Sequence, residues 1–340
     1  MKRNSTMIFL SGILASTQVF ATLTPTFERG EKNVYHTSPR GIQEVCVIPK
    51  KYPGAKYSKK DIKKEIELCN SSFYDVTPEE AAQGRTTVAL CSKQNSTNPG
   101  INVYELEPNQ SKSQVENENC EGASKLAKYK NSISCSSTPA IIGYYHLSRI
   151  LGRVGRVPVA VLRSMDIETH KKLGNDAMKD IKDKMALIYQ TWSGLMSNLN
   201  QGLKSAKKDQ LLTDDGQQSY GGLIINPKKE EFYSDLFTKG TDRAQAFKSN
   251  NIVFGLVRSS RSLDAMFTSA WTQDNVQKMY AMKDATEFIL MDHIMDQQDR
   301  FGNIAEIEVT AYMAKDKAED TSYELQIEKD PAEWRCPSFS

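Results

Sequence analysis

The sequence predicts an α+β fold of two lobes with a small disulfide-tied module at its N-terminal end. Three observations carry that expectation. The chain has 340 residues, 39% hydrophobic and 25% charged, which suits a globular protein with a sizeable core but exceeds the length over which one core keeps growing. Strand-like runs gather in residues 86–165, while residues 166–340 read mainly as helix. Five of the six cysteines lie between positions 46 and 135. Their even number, with no CxxC and no Cys/His zinc spacing, is the pattern of structural disulfides in an oxidising compartment. The pairing stays open, because six cysteines allow 15 connectivities.

Taken in order, residues 1–21 read as a secretory signal: a basic start at Lys2-Arg3, a short apolar stretch Met7–Leu14, and Val19 and Ala21 suited to signal peptidase. The apolar run is well short of the roughly 20 residues a membrane span needs. The chain is therefore expected to be exported, periplasmic or secreted, with no membrane span in its mature form, and its short Lys-Arg-led signal leans bacterial. Residues 22–85 are polar and lysine-rich and read as a cap, with a helix at Lys59–Leu68 and another from Thr77. There, Thr77-Pro78-Glu79-Glu80 supplies an N-cap, a proline at the first position and first-turn acids. Residues 86–165 offer strands at Thr86–Cys91, Ile101–Leu106 and Ser124–Lys130, divided by turn-rich and polar loops. Ser137 or Thr138 then caps a helix with Pro139 in its first turn. Ile141, Ile142, Tyr145, Ile150 and Leu151 recur at helical spacing until Gly152, and the β-branched run Val157–Leu162 comes next as a strand. Residues 166–340 offer helices at Asp166–Asp183 and Lys184–Leu203, an exposed lysine-rich insertion to about Lys229, and an extended Ile252–Val257. Next, a capping box at Asp284-Ala285-Thr286-Glu287 opens a helix Phe288–Met295, and Ile304–Tyr312 with Ser322–Ile327 makes a hairpin.

Charge excludes one partner class. The chain holds 44 basic and 42 acidic residues, and loss of Lys2 and Arg3 with the signal leaves 42 against 42. A neutral chain without a basic tail has no electrostatic footprint for nucleic acid.

Chemistry concentrates between the last helix and the hairpin. Asp299 is placed to accept a proton from a substrate hydroxyl, and Asn303, four residues on, to hold a divalent cation through its carbonyl oxygen. Phosphoryl transfer asks chiefly for such positioning and charge neutralisation. It also needs a lysine on a strand of the other lobe. The run SKLAKYK offers Lys125, Lys128 and Lys130, with Lys128 preferred. Phosphate-loop, dinucleotide, nucleophile-elbow and HExxH motifs are absent, and four scattered histidines make no zinc site.

Residues 138–162, TPAIIGYYHLSRILGRVGRVPVAVL, resemble the helix and following strand of secretory-pathway kinases of the Four-jointed and Golgi casein kinase type. Residues 296–304, DQQDRFGNI, resemble the DRHxxN catalytic loop that those kinases share with phosphatidylinositol kinases and HipA-type kinases. The resemblance implies a protein-kinase-like fold with its N-lobe at 86–165 and a mainly helical C-lobe at 166–340. It also implies ATP with Mg²⁺ or Mn²⁺ as nucleotide and metal, and transfer of the γ-phosphoryl group to a hydroxyl-bearing acceptor. In that scheme Asp299 is the base, Lys128 holds phosphates and Asn303 helps with metal. The chain departs from the family at four places. Phe301 stands for histidine, and Asn303 is one residue nearer the aspartate. Ile141 occupies the place of the helix glutamate, and Asp330-Pro331-Ala332-Glu333-Trp334 replaces an Asp-x-Gly turn. The later C-lobe helices do not appear before Ser340, so the C-lobe is expected to be incomplete. The alternative reading is an exported, disulfide-stapled pseudokinase or binding protein without turnover.

Overall fold

A computed structural model describes residues 32–95, 98–133, 137–226, 252–257, 259–266, 272–295, 310–315 and 323–328. The expected signal at 1–21, Cys135, Cys336, Asp299, Asn303 and Asp330 lie outside the described residues. The architecture is mixed α and β. One sheet collects eight strands: β1 (Lys32–Thr37), β2 (Gln43–Ile48), β3 (Ser71–Ser72), β4 (Thr86–Ser92), β5 (Ile101–Glu105), β6 (Lys125–Lys130), β7 (Ala160–Asp166) and β8 (Gln218–Ile225). Their spatial order is β1-β2-β7-β8-β6-β5-β4-β3. Every neighbouring pair is antiparallel except β3 with β4. A separate antiparallel hairpin joins β9 (Thr310–Lys315) to β10 (Tyr323–Glu328).

The sheet curls nearly into a barrel, and two contacts explain how it holds that shape. Cys46 on β2 is bonded to Cys69, two residues ahead of β3 at the opposite edge. His36 Nε2 on β1 lies 2.8 Å from the carbonyl oxygen of the same Cys69. Both edges are thereby tied to one point in the chain. A second disulfide, Cys91–Cys120, fastens β4 to the segment before β6. Disulfides fit an oxidising compartment. Among the described residues no helix is long and apolar enough to cross a membrane.

Ten helices accompany the sheet among the described residues: α1 (Lys59–Asn70), α2 (Pro78–Ala82), α3 (Lys112–Asn117), α4 (Thr138–Ile150), α5 (Ile167–Asp180), α6 (Leu187–Gln201), α7 (Lys208–Leu211), α8 (Ile252–Val257), α9 (Leu263–Met266) and α10 (Gln273–Met295). Their starts reflect local chemistry. Ser58 and Asp61 form a capping box on α1, Thr77 and Glu80 form another on α2, and Ser137 caps α4. In the main apolar cluster Ile101, Val103, Tyr129, Val161 and Leu223 from the strands meet Trp192, Leu195 and Leu199 of α6.

Several expected elements differ from those observed. The cap contributes β1 and β2, whose mixed KNVYHT and QEVCVI show weak alternation. The stretch expected as an exposed insertion contains β8, a central strand. Its Gly221-Gly222 pair reads as a loop signal, yet a Cβ at Gly222 would sit 2.7 Å from Ile141 Cγ2. Glycine in a strand marks such a close approach. Ile252–Val257 is helical rather than extended, an ambiguity that periodicity cannot resolve in a short apolar run. Asp284 does not start a helix: α10 runs unbroken from Gln273 with no glycine or proline inside it, and Asp284 is buried within. The strand expected at Val157 begins at Ala160, because Pro158 has no N–H for the ladder.

Candidate functional site

Strand register places the candidate lysine. Asn102 pairs with Lys128, and Lys128 with Ile224, while Lys130 pairs with Gly222. Across an antiparallel ladder, paired residues share a face, and residues two apart on one strand share it too. Lys128 and Lys130 therefore lie on one face. Lys93 joins them, since its amide donates to Gly100 O and continues the β4–β5 ladder by one step. Gly100 makes room there: a Cβ on it would meet the Lys130 Cγ at 3.6 Å. All three lysines are half-buried. This strip lies between the α3 cluster of Ala89, Val115 and Cys120 and α4, whose Ile141 presses on Gly222.

Burial and neighbouring amines depress two of these cations. Burial, then Lys130 and Lys128, push the Lys93 amine down to about 8. Burial and Lys128 push Lys130 down as well. Among the described residues neither Lys128 nor Lys130 has a carboxylate within ion-pair distance. The carboxamide oxygen of Asn102, in the same row, is buried without a hydrogen-bond partner among them. Chemically, this is a partly dehydrated concentration of positive charge that favours an anion with several oxygens.

Helix α4 flanks that strip and carries the HLSR residues at 146–149. His146 Nδ1 meets the Tyr57 hydroxyl. Ser148 Oγ donates to Val154 O at 2.6 Å. Arg149 makes two bonds to Asp61 of α1, at 2.9 and 3.2 Å, and a third to Val157 O at 2.9 Å. Burial works against an ionised Asp61, but Arg149 and the Ser58 amide hold its carboxyl below the usual range. The motif thus fastens α4 to α1 and to the turn leading into β7. Helix α10 packs against the same two parts. Tyr144 donates to Asp292 at 3.0 Å, Gly155 N donates to Glu287 at 3.0 Å, and Met295 Cε lies 3.0 Å from where a Cβ on Gly143 would be.

A second buried polar cluster lies at the other end of β7. The Glu44 carboxylate accepts from Arg163 Nη2 at 3.0 Å, from Asp166 N at 2.6 Å and from the Tyr74 hydroxyl. Burial pushes its pKa up against the pull of Arg163. Arg163 is fully buried and stacks on Phe73. These groups hold β2, β7 and the start of α5 together. Among the described residues no group of three or more His, Cys, Asp or Glu side chains is arranged to hold a metal ion.

Of the three residues singled out by sequence, Lys128 lies on β6 beside Lys130 and Lys93. Asp299 and Asn303 lie outside the described residues, shortly after α10 ends at Met295 beside α4. Lys93 escapes sequence reasoning because it leaves its strand for the turn-rich SKQNSTNPG. Extending the β4 alternation by one step past Cys91 is the signal that finds it. No family model, curated protein or solved structure matches the chain.

Proposed function

We propose that the chain is an exported kinase-like protein whose lysine strip holds the phosphates of ATP, bound with Mg²⁺ or Mn²⁺, and which transfers the γ-phosphoryl group to a hydroxyl. The observation that carries this reading is the half-buried Lys93–Lys128–Lys130 cluster on the strands just ahead of α4. In kinases the phosphate-binding lysine likewise sits on a strand close to the helix that supports it. The order of elements agrees with the same reading. A β4–β5–β6 meander leads into α4, β7 then pairs with β8, which lies beside β6, and α10 braces α4 and the turn after it. In this scheme Lys128 neutralises phosphate oxygens, Asp299 takes the proton from the acceptor hydroxyl as its oxygen bonds phosphorus, and ADP departs. Asn303 helps to hold the metal, which supplies charge neutralisation at the phosphates.

A thermal shift with ATP and Mn²⁺ tests the reading. A ligand present at 100 times its Kd stabilises by about 2.7 kcal/mol. For a chain of this size, that amounts to a rise of about 5–10 °C. The rise should require metal and should vanish in Lys128→Ala. No shift at millimolar nucleotide would count against it.

One observation favours a second reading, in which the scaffold binds nucleotide without turnover. Helix α4, TPAIIGYYHLSRI, carries no carboxylate, and the residue it presses on the sheet near the lysines is Ile141. Lys128 then lacks the helix glutamate that orients it in active kinases. Nucleotide binding without loss of the γ-phosphate over hours, with acceptor hydroxyls supplied, would select this reading.

A further inference from the structure

Residues 50–64 hold seven lysines and one acid, Asp61. Asp61 is buried and paired with Arg149 and Arg153, so this stretch shows solvent a positive face. Helix α1 builds most of it. Lys59, Ile62, Lys63 and Ile66 recur at i, i+3, i+4 and i+7, which puts them on one side of the helix, and all four are exposed. The opposite side carries Asp61, Glu65 and Leu68, all buried; the exposed acid of the helix is Glu67, in its last turn. Lys56, exposed just ahead of the helix, carries the face on to the end of α4. There its amide donates to Arg149 O at 2.7 Å, and the half-exposed Arg153 lies 3.4 Å from Asp61. Among the described residues Lys56, Lys59 and Lys63 have no carboxylate within ion-pair distance. Two large apolar side chains stand among these cations, Ile62 at 37% exposure and Ile66 at 39%.

We propose that this face docks on the surface of an anionic lipid bilayer, with Lys56, Lys59 and Lys63 against lipid phosphates and Ile62 and Ile66 in the headgroup layer. Clustered lysines on a helix are drawn to such a surface within a Debye length. The isoleucines select a bilayer over a soluble polyanion. A nucleic acid or acidic polysaccharide satisfies the amines but leaves both apolar side chains in water, whereas the boundary between headgroups and acyl chains takes them up. The lysine stems lie along that boundary and keep their ammonium groups outside it. The chain as a whole holds 44 basic and 42 acidic residues, so a local cluster of this kind fixes which side of the molecule meets the membrane. This inference stands apart from the phosphotransferase reading, because it uses none of Lys93, Lys128 and Lys130.

Co-sedimentation of the full chain with vesicles tests it, comparing phosphatidylcholine alone with phosphatidylcholine that contains about 30% phosphatidylglycerol. The chain should pellet with the anionic vesicles far more than with the neutral ones, and raising salt from about 0.1 M to about 0.5 M should release most of it. Each lysine against the surface contributes about fivefold to partitioning, so Lys56→Glu/Lys59→Glu/Lys63→Glu should weaken it by more than about 100-fold. Lys182→Glu/Lys184→Glu/Lys204→Glu, the same charge change on exposed lysines elsewhere, should partition within about threefold of the parent. Ile62→Ser/Ile66→Ser should weaken binding several-fold at either salt concentration. All of these side chains are exposed, so each variant should melt as the parent does. Equal pelleting with neutral and anionic vesicles, or equal losses in the two lysine triples, would overturn the proposal. Unaltered vesicle binding in Ile62→Ser/Ile66→Ser would overturn it as well and assign the face to a soluble polyanion.

Discussion

Removing the Cys46–Cys69 bridge by the paired change Cys46→Ala/Cys69→Ala should loosen the sheet at both of its edges. The bridge spans a sequence separation of 23 residues, for which the chain-entropy account gives about 3.4 kcal/mol at 25 °C. Both cysteines are fully buried, so lost packing adds to that figure. At about 2–4 °C per kcal/mol for a domain of this size, Tm should fall by about 7–14 °C. The position of the damage is also specified. Amide hydrogen exchange should accelerate in β1 and β2 and in the β3–β4 edge, since Cys46 and Cys69 join those two regions. The β7–β8 ladder, paired from Ala160 to Asp166, should stay protected. An unchanged Tm, or protection lost evenly across all eight strands, would refute the clamp.

Stability should also fall with acid. Burial, helped by Arg163 at His36, pushes His36 down to about 3, and burial alone pushes His170 down to about 4. The folded state keeps both rings neutral, whereas the unfolded chain takes up protons as pH drops through about 6.5. Their stabilising contribution is therefore complete above pH 6.5 and is lost progressively below it. By pH 5 the loss reaches about 2 kcal/mol for each ring. Urea unfolding at pH 7, 6 and 5 should show this slope, and His36→Gln/His170→Gln should flatten it; an identical slope in the variant would remove the histidines from the account. Arg149→Ala, which leaves the buried Asp61 carboxylate only the Ser58 amide and Arg153 at 3.4 Å, should cost about 2–4 kcal/mol by chemical denaturation, and a cost under about 1 kcal/mol would show that the α1–α4 link is incidental. Gly222→Val should cost about 1–3 kcal/mol because its Cβ meets Ile141, and Ile141→Ala in the same chain should recover part of that loss; simple additivity of the two changes would contradict the contact.

Local signals made much of the fold legible. Thr77 caps the helix expected from it, Ser137 is the one of two expected candidates that caps α4, and the β4, β5 and β6 strands fall within a residue or two of their apolar runs. What escaped depends on distant partners. β8 is a strand because Gly221 and Gly222 admit Tyr129 and Ile141 from elsewhere in the chain, which no window around residue 222 contains. β1 holds its place through β2 and through Cys69, 33 residues beyond His36. The buried Glu44–Arg163 pair was likewise invisible, since its members lie 119 positions apart. For the site, the run SKLAKYK offered Lys125, Lys128 and Lys130 without choosing a face for them, which took the strand register, while Lys93 required knowledge that β4 continues past Cys91.

Affinity labelling is the most direct test of the central claim. An acyl-phosphate derivative of ATP acylates amines that lie against its phosphates, and peptide mapping then identifies them. Lys93, held down to about 8, has an appreciable neutral fraction near neutral pH and should react readily. Lys128 and Lys130 should be modified with it, in a metal-dependent manner and with protection by excess ATP. Labelling scattered over exposed lysines such as Lys182 and Lys184, and indifferent to ATP, would contradict the account.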